Sequence, residues 1–149
     1  MEVKNLFDSS AKQEIIERIQ RLSPDKNPLW GKMNAAQMLA HCQMPVRIAM
    51  GLHEPKGSFL LRLIGPAFKS KLWDSQPYKK GLPTDPTFIM TGSEKDFITE
   101  KTELIDLVTN FTEETITRDR HPIFGKLTKT NWSMATWKHL DHHLRQFGN

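Results

Sequence analysis

The chain has 149 residues, of which 38% are hydrophobic and 26% are charged, a composition typical of one globular domain with a packed core. Its most apolar run, residues 59–64, is broken by Arg62 and is far shorter than a membrane span of about 18 to 20 residues, so we expect no membrane association. A single cysteine, Cys42, excludes an intramolecular disulfide framework and a multi-cysteine metal cage. The N-terminal residues lack the apolar core of a signal peptide, so we expect a cytoplasmic protein.

The net charge of +4 is a mild excess, from 21 basic and 17 acidic residues spread along the chain. Basic residues are densest between positions 56 and 80, where Asp74 is the only acidic residue. Nucleic-acid-binding proteins usually gather basic residues into a stripe beside groove-reading elements. We interpret this segment as a solvated face over a packed connector, and we do not expect a nucleic-acid partner.

Helical periodicity predicts two helices in the first third of the chain. The first runs from about Ser10 to Leu22, and its apolar stripe consists of Ile15, Ile16, Ile19 and Leu22. The second begins at Asn34, where Asn34 and Gln37 have the spacing of a capping box, and it runs to about Ala49 or Met50.

A connector of about 40 residues, 51–92, follows the second helix and is rich in glycine and proline. Within it we predict a short helix from about Ser58 to Trp73, broken at Gly65-Pro66. Residues 87–90 show weak extended character, and no other segment shows strong strand alternation.

Two further helices are predicted after the connector. The third runs from about Ser93 or Glu94 to Phe111 or Thr112, with a broad apolar face. The fourth runs from about Thr130 to Phe147 and ends at Gly148. Four helices with one long crossover predict an all-α fold, an antiparallel four-helix bundle that occupies residues 1–149 as one domain.

Three of the six histidines lie close together in the predicted fourth helix. His139 and His143 are four residues apart, so they stand one turn apart on its inward edge. His142 leans toward the polar boundary and, like His53, is interpreted as a surface residue. The same helix places Lys138, Asp141 and Arg145 on the side opposite its apolar stripe. Histidines at this spacing can bind one metal ion, but more often they belong to a polar hydrogen-bond network.

His41 adds a third inward histidine, on the apolar face of the second helix. A buried imidazole needs a partner, which can be a backbone carbonyl, a carboxylate or the histidine pair of the fourth helix. With that pair it would form a three-histidine site inside a bundle. Pro45 lies four residues later and cannot donate a hydrogen bond to the His41 carbonyl if the helix continues through it.

Two other polar residues are candidates for catalytic or supporting roles. His121 precedes Pro122 in the loop that leads into the fourth helix, where it could move a proton, support a ligand or hold its own loop. Gln146 shares the face of the histidine pair and could orient a ligand or form an ordinary buried hydrogen bond. Cys42 lies well around the helix from His41 and is interpreted as a small packed side chain.

These residues together resemble the DinB/YfiT-like superfamily of four-helix metalloenzymes. The resemblance rests on Met38-Leu39-Ala40-His41, on the late H-x-x-x-H followed by Gln146, and on the C-terminal motif KHLDHHLRQFG. The more usual ending H-R-G-Q reads here as His143-Leu144-Arg145-Gln146, which moves the arginine by one position.

The resemblance implies a divalent metal ion held by His41, His139 and His143, with a coordination position left open. The ligands do not decide among zinc, nickel, iron and manganese. It further implies a hydrolase or a thiol-dependent transferase that acts on a small molecule, such as a thiol, and a homodimeric assembly. The alternative is a non-catalytic, stress-related interaction module in which the histidines form a network or bind a structural metal.

Overall fold

The computed structural model describes residues 1–54, 59–82 and 88–149, with side chains described throughout except at 59–61. Within these ranges the chain is mostly helical, which agrees with the predicted all-α class. The helices are α1 (Ser9–Arg21), α2 (Ala35–Ala49), α3 (Phe59–Ile64), a 3-10 helix (Gly65–Leu72), α4 (Phe97–Thr109) and α5 (Lys129–Gln146). One short antiparallel hairpin joins β1 (Arg120–His121) to β2 (Gly125–Lys126).

Side-chain caps mark where α2, α4 and α5 begin. The predicted capping box of α2 is confirmed: Gln37 N donates to Asn34 Oδ1 over 2.9 Å, and Asn34 N donates to Gln37 Oε1 over 3.0 Å. Helix α4 begins three or four residues later than predicted, because the Asp96 carboxylate caps it by accepting a hydrogen bond from a backbone N–H of its first turn.

The four long helices enclose one core. Helices α1 and α2 each pack against both α4 and α5. The core consists of apolar side chains that are almost fully buried, among them Leu6, Ile15, Ile19, Met38, Leu39, Ile48, Leu104, Phe111, Leu140, Leu144 and Phe147. Helix α2 continues through Pro45, so the carbonyl of His41 lacks the intrahelical hydrogen bond that a residue with an N–H would supply.

No described helix is long and apolar enough to cross a lipid bilayer.

The connector contains the predicted short helix, and it changes helix type at the predicted break. Gly65 begins the 3-10 segment, and a Cβ atom there would lie 2.5 Å from the Ile123 side chain and carbonyl. Glycine therefore lets the connector approach the β1–β2 hairpin closely. Ser58 and Thr87 lie outside the described residues, and Phe88 to Met90 contain no strand. The hairpin was not predicted, because strands of two residues are too short to show alternation.

Lys138 and Asp141 were predicted on the side of α5 opposite its apolar stripe, and this side is buried as well. They are only 1% and 2% exposed, because the N-terminal region and the connector cover this side of α5. Lys138 Nζ donates to the carbonyls of Lys71 (2.8 Å) and Asp74 (2.9 Å) and to Asp74 Oδ1 (2.7 Å). The hydrogen bond from Lys138, supported by one from Lys71, lowers the pKa of Asp74 to about 2.

Asp141 forms a second link from the same side of α5. Its Oδ1 atom accepts a hydrogen bond from Arg18 of α1 over 2.8 Å, and its Oδ2 atom lies 2.8 Å from Arg145 Nε. Arg18 also donates to the carbonyl of Asn149 over 2.9 Å. Buried charges are tolerated here because each one is paired and hydrogen-bonded.

We predict that Lys138→Met lowers the free energy of unfolding by about 2 to 3 kcal/mol, because it removes three hydrogen bonds from a buried ammonium group. The expected accompanying change is faster proteolytic cleavage within residues 65–82, since this lysine attaches that segment to α5. Urea unfolding and limited proteolysis measure the two effects.

Lys129→Met is the matched control on the same helix, because Lys129 makes one exposed hydrogen bond, to the carbonyl of Glu113. We expect it to change stability by no more than about 0.5 kcal/mol. Equal stabilities for the two variants would contradict the anchoring role of Lys138.

Candidate metal centre

The structure brings together the three histidines that were predicted to bind metal. His41 projects from the middle of α2, and His139 and His143 project from successive turns of α5. One ring nitrogen of each residue lies within 4.8 Å of those of the other two. The ring centroid of His143 lies 4.6 Å from the centroid of His41 and 4.6 Å from the centroid of His139.

The closest pair of ring nitrogens is separated by a distance near that of two ligands on one ion. His41 Nε2 and His139 Nε2 are 3.1 Å apart. Two imidazole nitrogens at about 2.0 to 2.1 Å from a tetrahedral zinc ion are separated by about 3.3 to 3.4 Å. A distance of 3.1 Å also permits a hydrogen bond from an N–H of one ring to the lone pair of the other.

Backbone and amide groups determine which nitrogen of His41 and His143 is free. His41 Nδ1 lies 2.9 Å from the carbonyl of Phe88, and a carbonyl can only accept, so this nitrogen carries the proton. His143 Nδ1 lies 2.8 Å from Gln146 Oε1 and donates to it. Gln146 is oriented in turn because its Nε2 atom donates to the carbonyl of Trp30 over 2.6 Å. In the neutral rings, Nε2 of both histidines therefore carries a lone pair, as in metal-binding histidines with a fixed outer partner.

Burial keeps all three imidazoles in the neutral form that metals bind. Loss of solvation lowers the pKa of His41, although its bond to the Phe88 carbonyl opposes the shift. It lowers the pKa of His143 to about 3. The pKa of His139 is lowered well below its usual value by burial and then by repulsion from His143 and His41. Three neutral imidazoles are a donor set that fits a divalent transition-metal ion.

Gln146 lies beside the group, in the position that the sequence suggested for a supporting residue. Its side chain is 3% exposed and connects His143 to the loop between α1 and α2. The side-chain amide uses its oxygen for the histidine and its nitrogen for the loop, so it accepts one hydrogen bond and donates the other.

His121 lies outside the group of three histidines. Its Nδ1 atom accepts hydrogen bonds from the backbone N–H groups of Ile123 (3.0 Å) and Phe124 (3.3 Å). Its ring packs against Trp132, about two turns before His139 on α5. These contacts correspond to the alternative in which His121 holds its own loop, and a catalytic role for it stays a prediction.

The interpretation of His142 as a surface residue is wrong. Its half-buried ring lies 5.6 Å from both Trp30 and Tyr78 and 5.0 Å from His143, measured between ring centroids. The helical angle of His142 gave no signal of this, because both aromatic partners come from distant segments that fold over α5. The same interpretation is wrong for His53, which is half-buried with its ring 6.4 Å from that of Phe88.

Cys42 is buried beside the site without belonging to it. Its thiol is in contact with the Met38 sulfur, 3.5 Å away, and burial raises the pKa of the thiol. It stays protonated at neutral pH, in agreement with the interpretation of a packed side chain.

We predict that His121 makes the protein less stable in mild acid. Burial lowers its pKa to about 4, so between about pH 6.5 and pH 4 the unfolded chain binds a proton that the folded chain excludes. Stability is therefore lost as the pH falls through this window, by on the order of 3 kcal/mol from this residue.

The measurement is urea unfolding of the wild type and of His121→Asn at pH 7 and pH 4. Asparagine keeps an acceptor for the loop N–H groups but does not titrate. The variant should lose less stability than the wild type on acidification, and parallel losses would contradict the prediction.

One family model matches the chain, and its match covers residues 1–149. The family is described as a protein of unknown function (DUF1569). Among curated proteins and among solved structures, no protein matches the chain significantly. Because the match extends over all 149 residues, this chain with its three-histidine cluster belongs to the DUF1569 family.

Proposed function

We propose that the protein is a metal-dependent enzyme in which His41, His139 and His143 hold one divalent ion. The observation that carries this proposal is the convergence of three ring nitrogens within 4.8 Å of one another. The acceptors on Nδ1 of His41 and His143 add support, because they leave both Nε2 lone pairs available. Three protein ligands leave a position open, which is typical of catalytic rather than structural sites.

The ion, when bound, supplies Lewis acidity, which suits either activation of water for hydrolysis or binding of a substrate thiolate. The chain's own contribution is to keep the three rings neutral by burial and to fix two of them through Phe88 and Gln146. Small-molecule thiols and hydrolysable esters are therefore the first substrates to test.

We also propose that the fold is an antiparallel four-helix bundle of the DinB-like type. Contacts of α1 and α2 with both α4 and α5 support this arrangement, since each helix of such a bundle has two neighbours. A homodimeric assembly is proposed on the sequence resemblance alone.

A second candidate function is a non-catalytic module in which the histidines form a hydrogen-bond network. The 3.1 Å separation of His41 Nε2 and His139 Nε2 favours it. His139 Nδ1 is buried without a hydrogen-bond partner among the described residues. An ion bound at His139 Nε2 and a histidine network both leave this nitrogen unpaired, at a cost of about 1 to 3 kcal/mol, so the metal-content measurement below distinguishes the two functions.

We predict that the protein, prepared without a histidine tag, binds about one divalent ion per chain. His41→Ala and His139→Ala should each abolish this binding, because two remaining imidazoles hold an ion weakly. Mass spectrometry of protein loaded with zinc, nickel or manganese gives the stoichiometry. Metal at 100 times its dissociation constant should also stabilise the wild type by about 2.7 kcal/mol.

His53→Asn is the matched control, because it removes a half-buried histidine that is not one of the three. It should keep the full metal content. If the wild type binds none of the three metals while folded by circular dichroism, the enzyme proposal fails and the histidine network is favoured.

We predict that the bound ion has an exchangeable position. In cobalt-substituted protein, azide or a small thiol should change the visible absorption spectrum at millimolar concentration, because an external ligand enters the coordination sphere. A cobalt spectrum that neither ligand changes would indicate a closed structural site and would contradict catalysis.

A further inference from the structure

The loop between α1 and α2 is attached to the C-terminal turn of α5 by two hydrogen bonds that involve the same residue. Leu29 N donates to the backbone carbonyl of Gln146 over 2.7 Å. Gln146 Nε2 donates to the carbonyl of Trp30 over 2.6 Å. The Trp30 ring also packs against His142, with 5.6 Å between ring centroids. Residues 29–31, here called the 29–31 turn, therefore lie directly over the residue that contacts His143.

Gly31 is the residue of this turn that permits the attachment. Its φ of +83° is in the region that favours glycine, and a Cβ atom there would lie 2.6 Å from Gln146 Nε2. Any side chain at position 31 must therefore displace the Gln146 amide or move the turn. The atom that the new side chain would displace is Gln146 Nε2, and it belongs to the same amide whose oxygen accepts a hydrogen bond from His143 Nδ1.

We propose that Gly31 and the carbonyl of Trp30 are positioning groups that fix the ring orientation and tautomer of His143 through Gln146. The significance for metal binding rests on the proposed function, whereas the effect on the histidine does not. If the amide is held, its oxygen faces His143 Nδ1, and the proton stays on that nitrogen. If the amide is displaced, the ring is free to rotate and to carry its proton on Nε2, the nitrogen that an ion needs.

The first test needs no metal. Long-range ¹H–¹⁵N correlation spectra of the metal-free protein report which nitrogen of each histidine ring is protonated, and a His143→Asn variant assigns the His143 signals. The wild type should show His143 protonated on Nδ1. Gly31→Ala should shift it toward the Nε2-protonated form, whereas a His143 signal unchanged by Gly31→Ala overturns the proposal.

Gly92→Ala is the matched control. Gly92 has nearly the same backbone conformation, with φ of +85°, but a Cβ atom there would meet nothing within 4 Å. It should reproduce the backbone strain of the Gly31 substitution and leave the His143 signals unchanged. If both variants change the His143 tautomer equally, general destabilisation explains the effect and the proposal is overturned.

The second test measures metal affinity by competition with a chelator. Gly31→Ala should weaken binding about 10- to 100-fold, as for other changes to the outer partners of a ligand. Gln146→Ala should weaken it similarly. The double variant should be no weaker than Gln146→Ala alone, because the side chain that the new Cβ displaces is already absent.

Independent effects that multiply in the double variant would overturn the action of Gly31 through Gln146. If the wild type binds no metal, the proposed enzyme function fails, and the tautomer measurement still decides the positioning role. Thermal unfolding by circular dichroism confirms that each variant is folded before either test.

Discussion

The site depends on one constraint: imidazole rings placed between α2 and α5 lose their contact with water and need other partners. His41 and His143 find theirs in the Phe88 carbonyl and the Gln146 amide. Each acceptor receives a hydrogen bond from a protonated Nδ1, so Nε2 is left with its lone pair near the other rings. Burial also keeps the rings uncharged because loss of solvation disfavours the charged form, and repulsion between the rings adds to this at His139 and His143. The same burial that costs solvation thus leaves three neutral rings close together, a donor set compatible with an ion.

Much of the architecture could be predicted from the sequence, because the long helices have strong periodicity and clear caps. The capping box at Asn34 and the inward direction of His41, His139 and His143 follow from spacing alone. The convergence of the three rings could not be derived from helical angles, because these describe each helix separately. It also requires that α2 and α5 pack with His41 level with His139 and His143.

The burial around α5 could not be predicted, for one physical reason. His142 was assigned to the surface and Lys138 to the side opposite the apolar stripe, because a helix considered alone shows only one apolar face. The connector and the loop before α2 cover the polar side as well, with Asp74 holding Lys138 and with Trp30 and Tyr78 enclosing His142. Such contacts join residues 60 or more positions apart, and no local pattern records them. Helix α5 is consequently surrounded on several sides although its sequence looks amphipathic.

Both fixed histidines depend on main-chain carbonyls. His41 donates directly to the carbonyl of Phe88. His143 donates to Gln146, which in turn donates to the carbonyl of Trp30. A carbonyl is present whatever the side chain, so a substitution at position 88 keeps the acceptor that His41 uses, and one at position 30 keeps the acceptor that Gln146 uses. The orientation of these two rings is therefore determined by the path of the backbone in two loops, and not by the identity of the loop side chains.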